Sequence, residues 1–123
     1  MASAGNAPLK PVGLRMTRLA TPSFLIKTYT AKGARQPLTN WTLTFEASPS
    51  LDDNPVDITY TIGSGITVTD ELNGEFTVEF ATADTTGYPN VTTVLRYEVT
   101  GSSSEFPSVI LSKGTLTIEP TFV

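Results

Sequence analysis

The sequence contains no cysteine and no histidine. Without cysteine there is no disulfide, no thiolate metal site and no thiol nucleophile. Without histidine the commonest general base and the imidazole zinc ligand are missing, so neither Ser-His nor Cys-His machinery can be assembled. No apolar run approaches the length of about 18 residues that a membrane-crossing helix needs. The opening "MASAGNAPLKPVGLRM" also lacks the continuous apolar stretch of a secretion signal. The chain is expected to be made in the cytoplasm and to be soluble. Its 123 residues suit one domain with a core of its own.

Charge is scarce in one sign over most of the chain. Lys10, Arg15, Arg18, Lys27, Lys32 and Arg35 all precede residue 41, and no acid does; beyond it twelve acids face only Arg96 and Lys113, for a net charge of −4. An acidic body without a basic, aromatic patch lacks the electrostatic footprint of nucleic-acid binding. The separated blocks read either as solvated faces or as a basic arm made to dock on an acidic partner.

What is present is alternation. Residues 1–13, with Pro8 and Pro11, read as extended, and residues 1–19 as an N-terminal arm preceding one β domain over 20–123. "SFLIKTYTAK" predicts a strand closed by Gly33 and Pro37. In "WTLTFEAS", Trp41, Leu43, Phe45 and Ala47 take one face. "VDITYTI" repeats the pattern with Ile58, Tyr60 and Ile62, and "VTTVLRYEVTG" with Leu95, Tyr97 and Val99. Between Phe80 and Val91, "ATADTTGYPN" predicts a single helical turn with Thr82 as its N-cap, ended by Gly87 and Pro89. "PSVILSKGTLTIEP" predicts a further pair of strands whose apolar phase changes between Val109/Leu111 and Leu116/Ile118, so a bulge is expected at Lys113-Gly114. Seven or eight short strands separated by turn residues predict an antiparallel β-sandwich.

The hairpin "ITVTDELNGEFTVEF" carries a sharper expectation. The apolar residues of both arms are even-numbered, so a shared face needs an odd loop. A three-residue loop, Leu72-Asn73-Gly74, puts Val68 opposite Val78 and Ile66 opposite Phe80, with Gly74 in the left-handed position of a type I turn with a G1 bulge.

"LTNWTLTFEA", "GSGITVTDELNGEFTVEFATADT", "YEVTG" and "SKGTLTIEP" resemble, in order and spacing, the immunoglobulin-like domains of bacteriophage tail proteins, notably the N-terminal domain of baseplate upper proteins. The resemblance covers roughly residues 38–120. It implies a virion structural protein made in the host bacterial cytoplasm, working in oligomeric, often trimeric, platforms through contacts with other virion proteins. It carries over no catalytic, metal or cofactor residue, and no nucleic-acid or membrane partner. A capsid decoration protein is the alternative within the structural class.

Other constellations point to rival chemistry. Asp52, Asp53, Asn54 and Asp57 offer oxygen ligands, but Pro55 interrupts them and the glycine and terminal glutamate of a calcium loop are missing, so a solvated loop is expected. Asp70 and Glu71 are adjacent strand residues pointing to opposite faces, unlike the converging carboxyls of a glycosidase. Asn40-Trp41-Thr42 and Asn90-Val91-Thr92 match glycosylation sequons by chance in a threonine-rich chain. Tyr88 and Phe106 are the loop aromatics available to a carbohydrate-binding module or to a protein interface. The partner-binding candidates are Lys10, Leu14, Arg15, Met16, Arg18, Leu19, Tyr88 and Phe106. In the arm, Leu14, Met16 and Leu19 are expected to bury against a neighbour while Arg15 and Arg18 reach its acids.

Overall fold

A computed structural model describes residues 12–30 and 32–121. The protein is all-β. Its strands are β1 (Leu14–Thr17), β2 (Ser23–Lys27), β3 (Thr42–Ser48), β4 (Ile58–Ile62), β5 (Gly65–Asp70), β6 (Glu75–Glu79), β7 (Thr93–Ser102) and β8 (Val109–Glu119). The one helical element among the described residues is a 3-10 turn, Thr82–Asp84. It lies where a helical turn was expected, but the cap is one residue earlier: the Asp84 carboxylate accepts the Ala81 N–H at 2.7 Å.

The strands form one sheet in the order β1-β8-β7-β3-β4-β5-β6-β2, curled nearly into a barrel. The curl follows from the connection between its edges. Eight strands laid flat would separate the outer two by about 34 Å. Here they are consecutive in the chain, joined by residues 18–22, a link that reaches at most about 20 Å. The sheet is mixed where an antiparallel one was expected, because β1 runs parallel to β8 and β4 parallel to β5. The second of these is a corner: only Thr61 with Gly65 and Ile62 with Ile66 are in register, around Gly63-Ser64.

Alternation places the core as the sequence implies along most strands. Leu43, Phe45 and Ala47, Ile58, Ile66, Phe76 and Val78, and Leu95, Tyr97 and Val99 are all buried, while Tyr60 and Val68 pack half-buried against them. Ile62 departs from the expected inner face because it lies at the corner, where the chain leaves one half of the sheet for the other, and it is exposed. Phe45 lies between Tyr97 and Tyr60, with ring centroids at 5.5 and 6.0 Å, and Phe80 meets Phe24, Phe45 and Tyr60 edge-on at 5.6 to 5.7 Å.

Two bulges differ from expectation in position. In the β5–β6 hairpin Ile66 faces Val78 and Val68 faces Phe76, two residues away from the expected pairing. The shared apolar face survives because Thr69 is an extra residue on β5, so that Asp70 faces Glu75 across the four-residue turn 71–74. The stretch 109–119 is one strand, not two, and its irregularity falls between the pairs Val99–Ser112 and Thr100–Ile110, leaving Leu111 and Ser112 both buried. Gly114 has a different use. A Cβ there would stand 2.0 Å from the Val12 carbonyl oxygen, so glycine lets the chain entering β1 lie against β8. Val12 N–H then reaches Lys113 O at 2.9 Å, and the Tyr97 hydroxyl donates to Val12 O at 2.8 Å.

Gly74 has a φ of 67°, in the left-handed region as expected. It is also enclosed: the buried Thr28 hydroxyl contacts Gly74 O at 3.0 Å and Gln36 O at 2.8 Å, and a Cβ on Gly74 would meet Gln36 O at 2.0 Å and Thr28 Oγ1 at 2.3 Å. Gly63 has a φ of 85° with nothing within 4 Å of its added Cβ. Gly74→Ala is therefore expected to cost about 3 kcal/mol, combining backbone strain with overpacking, and Gly63→Ala about 1 kcal/mol from strain alone. Urea denaturation of the two variants checks this; equal losses would mean that the enclosure contributes nothing.

Candidate assembly surface

Of the partner-binding candidates, Lys10 lies outside the described residues. The others are engaged within the chain. Leu14 and Met16, expected to bury against a neighbour, are buried here at 8% and 5% exposure, because β1 lies along β8 with Leu14 beside Leu116 and Met16 beside Ile118. This corrects the reading of 1–19 as one extended arm, since its last part, from Leu14 to Thr17, is a strand of the domain. Arg15 points outward and pairs with Glu119, an exposed ion pair on the neighbouring strand.

Arg18, Leu19 and Tyr88 come together at the end of the molecule where the chain passes from β1 to β2. The Arg18 guanidinium donates to the carbonyls of Tyr88 at 2.8 Å and Thr86 at 3.2 Å. Leu19, at a φ of 70°, gives its N–H to Thr85 Oγ1 at 2.7 Å, and its carbonyl accepts from Thr82 Oγ1 at 3.1 Å. The Tyr88 hydroxyl donates to the Asp57 carboxylate. A left-handed leucine and an arginine thus lock the loop 82–88 onto the chain entering β2, while the Tyr88 side chain ties the loop to Asp57 ahead of β4. No local pattern in the sequence marks this junction, because its partners lie more than sixty residues apart.

Phe106 stacks on Trp41, centroids 5.6 Å apart, after β7, whereas Tyr88 precedes β7. Ten residues of strand separate them by roughly 30 Å, so they do not form one platform. The acids of loop 49–57 turn to separate donors. Asp53 accepts from the Ser48 hydroxyl at 2.7 Å and Asp57 from Tyr88. Among the described residues no three metal-ligating side chains converge. Asn90 holds Thr121 with both ends of its amide, at 2.8 and 3.0 Å.

A shallow groove of about 480 Å³ runs along the outer faces of β7 and β8 beneath loop residues Pro49 and Leu51. Val94, Arg96, Glu98 and Lys113 line it. Sequence reasoning missed this site, although the signal was there: Arg96 and Lys113 are the only bases after residue 35. Register brings them onto one face, with Glu98 opposite Lys113 and Arg96 one outward position along β7. Neither base has an ion-pair partner among the described residues.

No family model matches this chain, and no curated protein matches it.

Burial of Met16 in β1 makes a direct test of the segment's role. Met16→Ala is expected to destabilise the isolated protein by about 2 to 4 kcal/mol, and Arg15→Ala by less than about 1 kcal/mol, since its ion pair is exposed. Chemical denaturation of the two variants checks this. A free arm would leave stability unchanged in both.

Tyr88 supplies a pH test. Burial first, then the hydrogen bond and charge of Asp57, push its phenol well above the ordinary 10.0. Burial also raises Tyr97. The unfolded chain releases these protons near its ordinary value while the fold retains them. Their contribution is therefore complete below the unfolded pKa of about 10 and falls as pH rises above it. Melting temperatures across about pH 9 to about pH 11 should decline, and Tyr88→Phe should make the decline shallower. An unchanged slope in that variant would mean that Tyr88 ionises freely in the folded state.

Proposed function

We propose that this protein is a non-enzymatic structural component of a bacteriophage particle, in the tail or baseplate, that works through protein-protein assembly on an immunoglobulin-like sandwich. The strand order supports the fold half of this reading. β4-β3-β7-β8-β1 and β5-β6-β2 are joined only by the two register pairs of the Gly63-Ser64 corner, and each half turns its apolar face to the other through Phe45, Tyr60 and Phe80. Two such faces packed across a shared core are the plan of an immunoglobulin-like sandwich. The motif resemblance over roughly residues 38–120 supports the phage half.

The observation that carries the assembly reading is where the exposed apolar side chains lie. Leu25, Ile62, Leu72, Val91 and Val94 stand on outer strand faces, corners and turns around a core built from stacked rings. The surface available to a partner is broad and mixed in polarity, which suits a protein partner better than a small ligand enclosed on several sides.

Cryo-EM of purified particles of a phage encoding this chain tests the proposal. Density for the domain at the tail tip or baseplate is the expected result. Density on the head shell would favour capsid decoration instead, and its absence from particles, with reproducible glycan-array binding by the purified protein, would favour a carbohydrate-binding module.

A further inference from the structure

The groove on β7 and β8 and the tip of the β5–β6 hairpin have complementary chemistry. At the tip, Leu72 is the most exposed large apolar side chain described, at 72%. Its neighbour Glu71 is exposed and has no ion-pair partner among the described residues. The tip is held firmly: Glu71 O accepts from Leu38 N–H at 2.7 Å, and the Asn73 side chain and N–H both bond the Asp70 carboxylate, at 2.9 and 3.2 Å. Leu72 is therefore presented at little further cost in conformational freedom.

The groove offers the counterpart. Exposed Val94 with Leu51 and Pro49 makes its apolar part, and Arg96 and Lys113 make its cationic part. Glu98 is directly opposite Lys113 in register and one outward position along β7 from Arg96, which leaves Arg96 as the base with no carboxylate across from it; the partners of Arg96 are Ser48 on β3 and Thr115 on β8. The tip and the groove belong to opposite halves of the sheet, so one copy cannot fill its own groove.

We infer that this groove receives the β5–β6 tip of a second copy of the chain, with Leu72 against Val94 and Leu51 and the Glu71 carboxylate on the Arg96 guanidinium. Such a contact is head-to-tail: it uses two different patches and leaves a pair of copies with one free tip and one free groove. It therefore builds a ring where the rotation closes and a filament where it does not. The inference rests on the assembly reading and names the partner and the contact.

Charge reversal tests it, with full-length protein followed by sedimentation velocity over a range of concentrations. Wild-type protein is expected to self-associate, more weakly as salt rises. Glu71→Arg and Arg96→Glu should each weaken association by about tenfold or more while leaving the melting temperature near that of the wild type. Mixed one to one, the two variants should associate again, because every tip then meets a groove of opposite charge. Wild-type protein that remains monomeric at all concentrations would overturn the inference, and finding that same protein in virions would keep the assembly reading. Association that both reversals leave intact, or that mixing fails to restore, would place the contact between copies elsewhere.

Discussion

Phe80 is the contact on which the two halves of the sheet depend. It follows β6 and meets the rings of Phe24 from β2, Phe45 from β3 and Tyr60 from β4 edge-on, while Phe45 stacks in turn on Tyr97 of β7. Full burial of such a ring is worth about 2 to 3 kcal/mol, and each well-oriented pair adds about 1 kcal/mol. The backbone link between the halves is meagre by comparison, two register pairs at one corner. What curls the sheet is therefore side-chain packing, combined with the short run from β1 to β2 that brings its edges together. Because the five rings come from distant parts of the chain, the cluster can form only when both halves meet, the non-local topology associated with slow folding.

Much of this was legible in the sequence where period-2 alternation ran for five residues or more. Trp41, Leu43, Phe45 and Ala47 are inward as read, as are Leu95, Tyr97 and Val99. Register was legible only in parity. A three-residue loop with its bulge at Gly74 and a four-residue turn with the bulge at Thr69 both keep Val68 and Val78 on the same face, and the apolar pattern cannot choose between them. The choice is made by Thr28 and Gln36, which enclose Gly74 from a segment some forty residues earlier. β8 repeats the lesson. A phase change was required between Leu111 and Leu116, yet it falls at Leu111, while Gly114, where it was expected, instead makes room for Val12 from the other end of the chain.

The N-terminal strand escaped notice for a related reason. Leu14 and Met16 alternate with Arg15 and Thr17 over only four residues, directly after a proline-bearing stretch, so the local signal is that of an extended segment. Its strand character is supplied by β8, which offers a parallel edge, and by Tyr97, whose hydroxyl fixes Val12. Edge strands with short patterns are generally weak in sequence because the partner contributes most of what orders them.

Charge shows most plainly how a reading along the chain and a reading in space diverge. Along the chain, a basic beginning precedes an acidic body, which suggests that the bases serve a neighbour. In space the described bases of that beginning are largely used at home: Arg15 pairs with Glu119, Arg18 caps the carbonyls of Thr86 and Tyr88, and Arg35 lies 2.8 Å from Glu75 while covering the Tyr29 ring. The split thus fastens the early strands to the later ones within one molecule. Lys27 and Lys32 stay exposed without an ion pair among the described residues, and so do the two bases that looked incidental, Arg96 and Lys113, which share a groove. An unpaired base on an acidic protein attracts carboxylates selectively, because the surrounding negative field repels any that it does not hold directly. The part of the chain with the fewest bases therefore still offers an acidic partner a cation with no carboxylate across from it, Arg96 in the groove of β7 and β8.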